Sequence, residues 1–486
     1  MLRKIRRITG LISFTFITLL FLDFTGTLHG WFGWLAKIQF LPAVLALNVG
    51  VVVMLILLTL ILGRVYCSVI CPLGVLQDVV SWIAGKRRKR RFSYSPAVSW
   101  LRYGMIALFI PALIMGISSL VVLLEPYGAY GRIVNNLLSP LYAWGNNLLA
   151  YLAERMDSYA FYSTEVWLKS AVTLSIAVIT FIVMSVLAWR NGRTYCNTIC
   201  PVGTILGFLS RYSLFRIAID ADKCNQCSLC SRNCKAACIN FKEYKVDNSR
   251  CVACMNCIGE CKQGAITYKM RYTNTVRENE TRRSVLSVVV MMATASVMKA
   301  QEKRDGGFAI IINKEKPNRD TPIMPPGSLG IRNMTQRCTA CQLCVSICPN
   351  QVLRPSSSLS TFMQPELSYE RGYCRQECVK CSEVCPAGAI KRITTADKSA
   401  IQIGHAVWIK GNCIPLTKEV ACGNCARHCP TEAIQLIPVD PANPDLLKIP
   451  AINVERCIGC GACENLCPSR PLSAIYVEGH ERHRII

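Results

Sequence analysis

Cysteines set at regular intervals carry the chemistry of this chain. Between Cys224 and Cys261 the sequence reads CNQCSLCSRNC and, sixteen residues later, CVACMNCIGEC, which are two C-x2-C-x2-C-x3-C runs in tandem. Three closely spaced thiolates can hold one face of a four-iron cube while the neighbouring run supplies the fourth ligand. Zinc sites usually show paired C-x2-C units, and disulfides belong to small secreted proteins, so both alternatives fit this spacing less well. We predict two 4Fe–4S clusters, one held by Cys224, Cys227, Cys230 and Cys261 and the other by Cys251, Cys254, Cys257 and Cys234.

Four further cysteine runs occupy the last third of the chain. Each ends in Cys-Pro, although the second has three residues in its first gap and the third has eight. Four more 4Fe–4S clusters are the natural count, which makes six in all. Adjacent runs can pair, or the first with the fourth and the second with the third, because both schemes use the same ligands. The predicted ligands are Cys338, Cys341, Cys344, Cys348, Cys374, Cys378, Cys381, Cys385, Cys413, Cys422, Cys425, Cys429, Cys457, Cys460, Cys463 and Cys467.

The remaining cysteines form two pairs in a repeated segment, together with Cys238, which we interpret as a spare buried thiol. GRVYCSVICPLG at residues 63–74 is echoed by GRTYCNTICPVG at residues 192–203. A parallel duplication about an axis along the membrane normal would bring the two pairs together as four soft ligands. We predict a shared metal or iron–sulfur centre; redox-active or structural thiols are the alternative, because C-x3-C-P alone is a weak signal. The two pairs are Cys67 with Cys71 and Cys196 with Cys200.

Composition indicates that part of the chain lies in a membrane. The 486 residues are 51% hydrophobic, which is high for a wholly soluble protein. The net charge of +25 does not indicate nucleic-acid binding, because the densest basic run, KRRKRR, lies between apolar stretches, where positive-inside charge meets lipid headgroups. The distribution of Lys and Arg predicts that both ends of the bundle face the cytoplasm. Four stretches approach the ~20 residues that a membrane helix needs: residues 8–24, 45–62, 103–124 and 170–188.

A later segment predicts a fifth membrane crossing. Residues 281–300 read TRRSVLSVVVMMATASVMKA, which begins like a twin-arginine export signal, although it is internal and has Val285 where Phe is usual. A plain amphipathic linker is the alternative. If the crossing exists, everything after it is exported.

The predicted fold is an α-helical membrane bundle of four helices in two repeated hairpins, plus the fifth helix, with two α+β ferredoxin-like parts. The predicted domains are residues 1–215 (membrane domain with both C-x3-C-P motifs), 216–270 (cytoplasmic two-cluster ferredoxin), 271–332 (connector with the twin-arginine-like segment at 282–300) and 333–486 (exported four-cluster polyferredoxin).

Other cofactors have little support in the sequence. The chain has five histidines, no C-x-x-C-H haem motif, no G-x-G-x-x-G fingerprint and no Walker loop. Direct oxidation of NADH and nucleotide hydrolysis are therefore not predicted. Tyr127, Trp144 and Trp167 either edge a quinone pocket or form an interfacial aromatic belt, which is the commoner arrangement.

The order of these motifs resembles two known families joined end to end. Residues 1–270 resemble the NapH-type membrane ferredoxins of periplasmic nitrate reduction, and the chain from about residue 281 resembles the exported MauM/NapG-type ferredoxins. The resemblance implies a quinol dehydrogenase component of the bacterial inner membrane, which takes electrons from the quinone pool and passes them through 4Fe–4S clusters to a periplasmic reductase or cytochrome, nitrate reductase foremost. A factor for the assembly of a metalloenzyme or oxidase is the alternative, and a redox sensor is a third, although no output domain is visible.

Overall fold

The computed structural model describes residues 2–23, 25–87, 92–157, 163–164, 166–270, 314–439 and 447–486. Over these residues the chain forms a helical bundle and two cysteine-rich modules of short helices and two-stranded sheets. A π-helix, Val134–Leu138, interrupts the bundle between α10 and α11. The helices of the bundle are α1 (Leu2–Leu22), α2 (Thr27–Phe32), α3 (Trp34–Lys37), α4 (Phe40–Leu45), α5 (Val49–Leu62), α6 (Tyr66–Val69), α7 (Pro72–Arg87), α8 (Ser99–Met115), α9 (Ser118–Leu124), α10 (Pro126–Ile133), α11 (Ser139–Glu154), α12 (Ala171–Asn191), α13 (Thr194–Thr198) and α14 (Pro201–Ser210).

Two of the described helices, α1 and α12, are long and apolar enough to cross a membrane. Each has 21 residues and is therefore about 31 Å long, close to the thickness of the hydrocarbon core. They coincide with the first and fourth predicted spans. The other two predicted spans fall on shorter apolar helices, α5 and α8, so the count of four or five transmembrane helices is not confirmed. The segment at residues 282–300 lies outside the described residues.

Local backbone signals explain why the second and third predicted spans are shorter than expected. The helix α8 ends at Gly116, whose φ of 74° lies in the left-handed region that favours glycine. Residues 117–124 then continue as the separate helix α9. The second span is broken near Leu47, which has a φ of 55°. Asn48 begins the next helix by accepting a hydrogen bond from the backbone N–H of Val51 at 3.4 Å.

The two copies of the repeated segment fold in the same way. Gly63 ends α5 and Gly192 ends α12, with φ angles of 73° and 70°. Each glycine lets the chain leave its helix sharply and enter a short helix, α6 or α13, which carries the first cysteine of the motif. Pro72 and Pro201 then begin α7 and α14, because proline suits the first turn of a helix.

The first ferredoxin module, residues 215–270, is a small α+β unit. Its outer strands, β1 and β4, pair antiparallel from Phe215 opposite Met270 to Ile219 opposite Ile266. A second hairpin, β2 with β3, lies between two short helices. The elements are β1 (Phe215–Ile219), α15 (Leu229–Arg232), β2 (Ile239–Asn240), β3 (Lys245–Val246), α16 (Asn256–Glu260) and β4 (Ile266–Met270).

The polyferredoxin module comprises the described residues from 314 to 486. Its strands pair antiparallel as β5 with β6, β8 with β9 and β7 with β10, the last of which joins the middle of the module to its C-terminal end. The elements are α17 (Ile331–Arg337), α18 (Leu343–Ser346), β5 (Leu353–Pro355), β6 (Pro365–Leu367), α19 (Lys380–Val384), α20 (Thr395–Ala400), β7 (Ile401–Trp408), α21 (Ile414–Thr417), α22 (Asn424–Arg427), β8 (Ile434–Pro438), β9 (Lys448–Ile452), α23 (Ala462–Leu466) and β10 (Ile475–Ile485).

The two modules contact opposite ends of α1. At the N-terminal end, Arg3 forms an ion pair with Glu260 of the first module at 2.9 Å. At the C-terminal end, α1 packs against α18 of the polyferredoxin module, and one hydrophobic core includes both Phe21 and Leu343. The first module has a separate core of its own. A helix about as long as the membrane is thick therefore separates the two sets of cysteines.

Candidate iron–sulfur centres

The four regular cysteine runs share a backbone conformation that the spacing alone did not reveal. The two residues that flank the second cysteine of each run have positive φ, between 46° and 79°. Successive residues in this conformation turn backbone N–H groups towards one concave surface, which suits a negatively charged cluster. In the irregular runs, Val379 and Gly423 follow the second cysteine with φ of −117° and −148°. The positive-φ residues are Gln226, Ser228, Ala253, Met255, Ala340, Gln342, Gly459 and Gly461.

In the polyferredoxin module, adjacent runs pair. A small cavity is lined by the first three cysteines of the first run and by the last cysteine of the second run. The other three groups are built in the same way: the first three cysteines of one run lie with the last cysteine of its partner run. The structure thus chooses between the two pairing schemes that the sequence left open. The four groups are Cys338, Cys341, Cys344 and Cys385; Cys374, Cys378, Cys381 and Cys348; Cys413, Cys422, Cys425 and Cys467; and Cys457, Cys460, Cys463 and Cys429.

The surroundings of these sulfurs suit a cluster better than a single ion. Backbone N–H groups donate to cysteine sulfurs, as from Ala340 to Cys338 at 3.4 Å and from Ile390 to Cys385 at 3.4 Å. Such bonds tune iron–sulfur clusters. Among the described residues, no three His, Cys, Asp or Glu side chains converge closely enough to hold one metal ion. Zinc, with Zn–S bonds of about 2.3 Å, would require that convergence, whereas a four-iron cube is larger.

In the first ferredoxin module, Cys234 lies with three cysteines of the following run, in the predicted crosswise set. The other run brings its first three thiols together. Cys261, the predicted fourth ligand of that set, directly follows α16. Cys238 is buried, and its sulfur lies 3.5 Å from that of Cys234, so this thiol adjoins the ligand set. The grouped thiols are Cys234, Cys251, Cys254 and Cys257 in one place and Cys224, Cys227 and Cys230 in the other.

The C-x3-C-P cysteines come together between the two copies of the repeat, as a buried four-thiol centre (Cys67, Cys71, Cys196 and Cys200). Each of the four is only 4% or 5% exposed. The sulfurs lie within mutual electrostatic reach of one another. Gln77 donates to the Cys196 sulfur at 3.2 Å, and the Gly203 N–H donates to Cys200 at 3.3 Å. A set of soft donors with N–H hydrogen bonds fits an iron–sulfur centre.

Two buried arginines hold the four-thiol centre in a reciprocal arrangement. Arg64 donates to the carbonyl oxygen of Cys196 at 3.0 Å and lies 3.8 Å from the sulfur of Cys67. Arg193 donates to the carbonyl oxygen of Cys67 at 2.7 Å and lies 3.8 Å from the sulfur of Cys196. Each arginine therefore lies near the first cysteine thiol of its own repeat copy and donates a hydrogen bond to the cysteine loop of the other repeat copy. Both are fully buried, so they place two positive charges beside the thiols.

A buried carboxylate compensates part of this charge. Asp78 forms ion pairs with Arg193 at 2.9 Å, with Arg6 of α1 at 2.7 Å and with Lys235 of the first ferredoxin module at 3.3 Å. Burial alone would raise the pKa of Asp78, but Arg193 and Lys235 hold it well below its ordinary value, so the carboxylate is ionised. The network ties α1, the repeat and the first module into one unit.

The four-thiol centre lies between the two ferredoxin modules. On one side, Arg64 donates to the carbonyl oxygen of Ser249 at 3.1 Å, two residues before Cys251. On the other side, Tyr195 donates to the carbonyl oxygen of Leu124 at 3.4 Å. The next residue, Glu125, lies within electrostatic reach of Cys341 in the polyferredoxin module. The structure thus links three groups of cysteines through a few side chains.

Sequence reasoning did not identify Arg64, Arg193, Gln77 or Asp78 as part of this centre. The two arginines occupy the same position of the repeated segment, directly after the helix-ending glycine. An identical charged residue in both copies of an apolar repeat was the available signal. Nothing in the sequence pattern marks Gln77 or Asp78.

Comparison with family models identifies iron–sulfur domains in both halves of the chain. Residues 44–91 and 170–220, which contain the two copies of the repeat, match a 4Fe-4S binding domain family. Residues 337–389 and 420–470 match a 4Fe-4S dicluster domain family, and residues 247–352 match a second such family. No solved structure matches the chain. The prediction of 4Fe–4S binding is confirmed, whereas the number of clusters stays a prediction.

Several ferredoxin-type proteins are similar to parts of the chain. The methylamine utilization ferredoxin-type protein MauM of Methylobacillus flagellatus is 31% identical over 158 residues, which are 32% of this chain and 66% of that protein. The ferredoxin-type protein NapH of Escherichia coli is 27% identical over 195 residues, 40% of this chain and 55% of that protein. MauN of Paracoccus denitrificans is 24% identical over 190 residues, 38% of this chain and 53% of that protein.

The chain thus spans just under two thirds of that MauM protein and little more than half of that NapH or MauN protein. These matches confirm the predicted resemblance to NapH-type and MauM-type proteins. In these parts the chain is similar to ferredoxin-type proteins of the NapH and MauM kind.

Proposed function

We propose that this protein is the electron-transfer component of a membrane quinol dehydrogenase. It would oxidise quinol from the membrane pool and pass the electrons through 4Fe–4S clusters to a periplasmic reductase such as nitrate reductase. Relatives named as ferredoxin-type proteins support an electron-transfer role. The observation that carries the proposal is the position of the cysteine groups at both ends of a helix of membrane length, with the four-thiol centre between them.

The chain's own residues would position and tune the clusters. Bound 4Fe–4S clusters supply one-electron chemistry. The left-handed loop residues direct N–H groups at the clusters, and buried packing sets the local dielectric constant. In the four-thiol centre, Arg64 and Arg193 would favour the thiolate form and hold both loops at fixed separation. The match of both repeat copies to a 4Fe-4S binding family supports a further cluster there.

The relatives point to more than one class of terminal electron acceptor. Some relatives are named ferredoxin-type protein NapH, and others are named for methylamine utilization. The shared part is the iron–sulfur relay. We therefore propose a periplasmic redox enzyme as the partner, with nitrate reductase the first to test.

Anaerobic reduction by quinol tests this function. The purified protein in detergent, fully loaded with iron, should lose part of the broad visible absorption of oxidised clusters when a menaquinol or ubiquinol analogue is added. The corresponding oxidised quinone should have no effect, because it has no electrons to donate. Full iron loading without bleaching by any quinol would contradict the proposal and favour the alternative role in metalloenzyme assembly.

Substitutions in the repeat test the four-thiol centre separately. If all four cysteines share one centre, Cys67→Ser and Cys196→Ser should each remove the same electron paramagnetic resonance signal and lower the iron content by the same amount. Gly85→Ala in α7, where no atom lies within 4 Å of the added Cβ, serves as the control. Unchanged iron content in both repeat variants would rule out a shared centre.

A further inference from the structure

A cavity of about 320 Å³ lies where the polyferredoxin module meets the helical bundle. We call it the junction cavity. Its walls come from the end of α1, the π-helix, α11, the segment before α12 and the loop after α18. Cys348, one of the predicted cluster ligands, forms part of the wall together with its neighbour Pro349. The cavity therefore touches a predicted electron acceptor directly.

The polar groups in the cavity suit a ligand that donates hydrogen bonds. Asn135 is 7% exposed and lines the cavity, and its Oδ1 has no partner, while its Nδ2 donates to Gln342 at 3.1 Å. Asn136 also donates to Gln342 at 3.1 Å. Both asparagines lie in the π-helix Val134–Leu138, a rare and wide helical turn that often marks functional sites. Gln342 directly follows Cys341, so the hydrogen bonds from the two asparagines also connect the cavity to the loop of a second predicted cluster.

An aromatic residue, Trp167, also lines the cavity. Two guanidinium groups stack on its ring, those of Arg354 at 4.4 Å and Arg371 at 4.6 Å from its centroid. Its indole N–H donates to Gln351. Because guanidinium groups stack on the ring, it offers an aromatic ligand its edge, and an edge-to-face contact is one of the favoured aromatic arrangements. The Lys169 ammonium also lines the cavity and lies within electrostatic reach of Cys348.

The cavity also has a route to lipid. The helix α11, which forms one wall, exposes several large apolar side chains. Exposed apolar surface of this extent on a helix at the end of a membrane bundle is typical of contact with lipid. These side chains are Leu141, Tyr142, Trp144, Leu148, Leu149 and Leu152.

We propose that the junction cavity binds the headgroup of a membrane quinol and passes its electrons directly to the polyferredoxin module. This inference rests on the proposed function and adds the place where electrons enter. One quinol loses two electrons and two protons and leaves as quinone. The Cys348 and Cys341 sets would each hold a 4Fe–4S cluster able to take up one of the two electrons, and the two protons would pass to water. Asn135 Oδ1 accepts a hydrogen bond from one quinol hydroxyl and positions the ring.

If electrons enter at the junction cavity, the polyferredoxin module is the first electron acceptor. The four-thiol centre then lies on a branch that leads towards the first ferredoxin module. Quinol should therefore still bleach the polyferredoxin clusters in the Cys67→Ser variant. If that variant lost all quinol-dependent reduction while retaining its polyferredoxin clusters, electrons would enter elsewhere and the proposal would be wrong.

Direct binding provides a readout other than activity. A fluorescent quinol-site inhibitor, heptyl-hydroxyquinoline N-oxide, is titrated into the iron-loaded protein in detergent, and its quenching gives a Kd. Ala143→Phe fills the cavity and should weaken binding by roughly tenfold or more. The matched control is Ala153→Phe, on the same helix but outside the cavity, which should bind as the unmodified protein does. Asn135→Leu should weaken binding several-fold.

A second pair of variants covers the case in which Ala143→Phe does not fold. Trp167→Phe should weaken binding, whereas Trp100→Phe, an exposed tryptophan on α8 outside the cavity, should not. The junction cavity is not the quinol site if the inhibitor binds with unchanged affinity to Ala143→Phe, or to both Asn135→Leu and Trp167→Phe, while quinol still bleaches the clusters. The proposed function would still stand in that case. Absence of bleaching in the unmodified protein would instead overturn the proposed function.

Discussion

A buried ion pair next to a predicted cluster ligand links two distant parts of the polyferredoxin module. Arg319 and Glu464 lie 2.5 Å apart with side-chain exposures of 3% and 1%, and Glu464 directly follows Cys463. Both groups also bond the backbone of Val477 in β10, at 2.7 Å and 2.8 Å. The pair thus connects the segment before α17, the cluster loop and the long hairpin.

Removal of one partner should be costly, because it leaves a charge buried without compensation. We expect Arg319→Met to lower the stability of the module by about 3 to 5 kcal/mol. The temperature at which the visible absorption of the clusters is lost measures this. The control is Lys223→Met, which breaks an ion pair with Asp220 in which the side chains are 66% and 36% exposed. That change should cost about 1 kcal/mol or less, and equal losses in both variants would contradict the argument.

At the scale of elements, the repeated helix–loop–helix units depend on close backbone approaches. Gly74 lies in the first turn of α7, where an added Cβ would collide with the Cys67 carbonyl oxygen, and Gly203 has the same relation to Cys196. These glycines let each helix pack against the loop that carries the cysteines. The two reciprocal arginines then occupy the space above them, since Arg193 and Arg64 are the next nearest atoms.

The substitution Gly74→Ala should therefore displace the Cys67 loop. We expect a destabilisation of about 1 to 3 kcal/mol, as for other overpacked cores, and a weaker spectroscopic signal from the four-thiol centre. Gly85→Ala, in the same helix α7, is the control because no atom lies within 4 Å of its added Cβ. An unaltered melting temperature and signal in Gly74→Ala would show that the loop can shift without loss.

At the scale of the whole molecule, the two ferredoxin modules should lie on opposite sides of the membrane. The structure separates them by the length of α1, and the positive N-terminal end, with Arg3 and Arg7, lies at the first module. The positive-inside rule then assigns the first module to the cytoplasm and the polyferredoxin module to the periplasm.

Protease protection tests this arrangement. An epitope after Ile486 should be removed by protease added to sealed spheroplasts, whereas an epitope in the exposed β2–β3 turn after Glu243 should be protected. Inside-out vesicles should give the opposite pattern. A protected C-terminal epitope on sealed spheroplasts would contradict the proposed delivery of electrons to a periplasmic partner.

The sequence determined the local chemistry of this protein, because cysteine spacing sets how a short loop can surround a cluster. The repeated GR-x-Y-C segment was likewise sufficient to predict that four distant thiols would be neighbours. Each of these features depends on short-range geometry or on internal symmetry.

Only the tertiary structure decided which runs pair, where helices break and what surrounds the four-thiol centre. Both pairing schemes use the same cysteines, so their choice depends on how α18 and α19 pack rather than on spacing. The arginines reach across from one repeat copy to the other, and the junction cavity is formed by segments of both the helical bundle and the polyferredoxin module. Contacts between residues so far apart in sequence leave no periodic pattern, and their geometry appears only when the chain is folded.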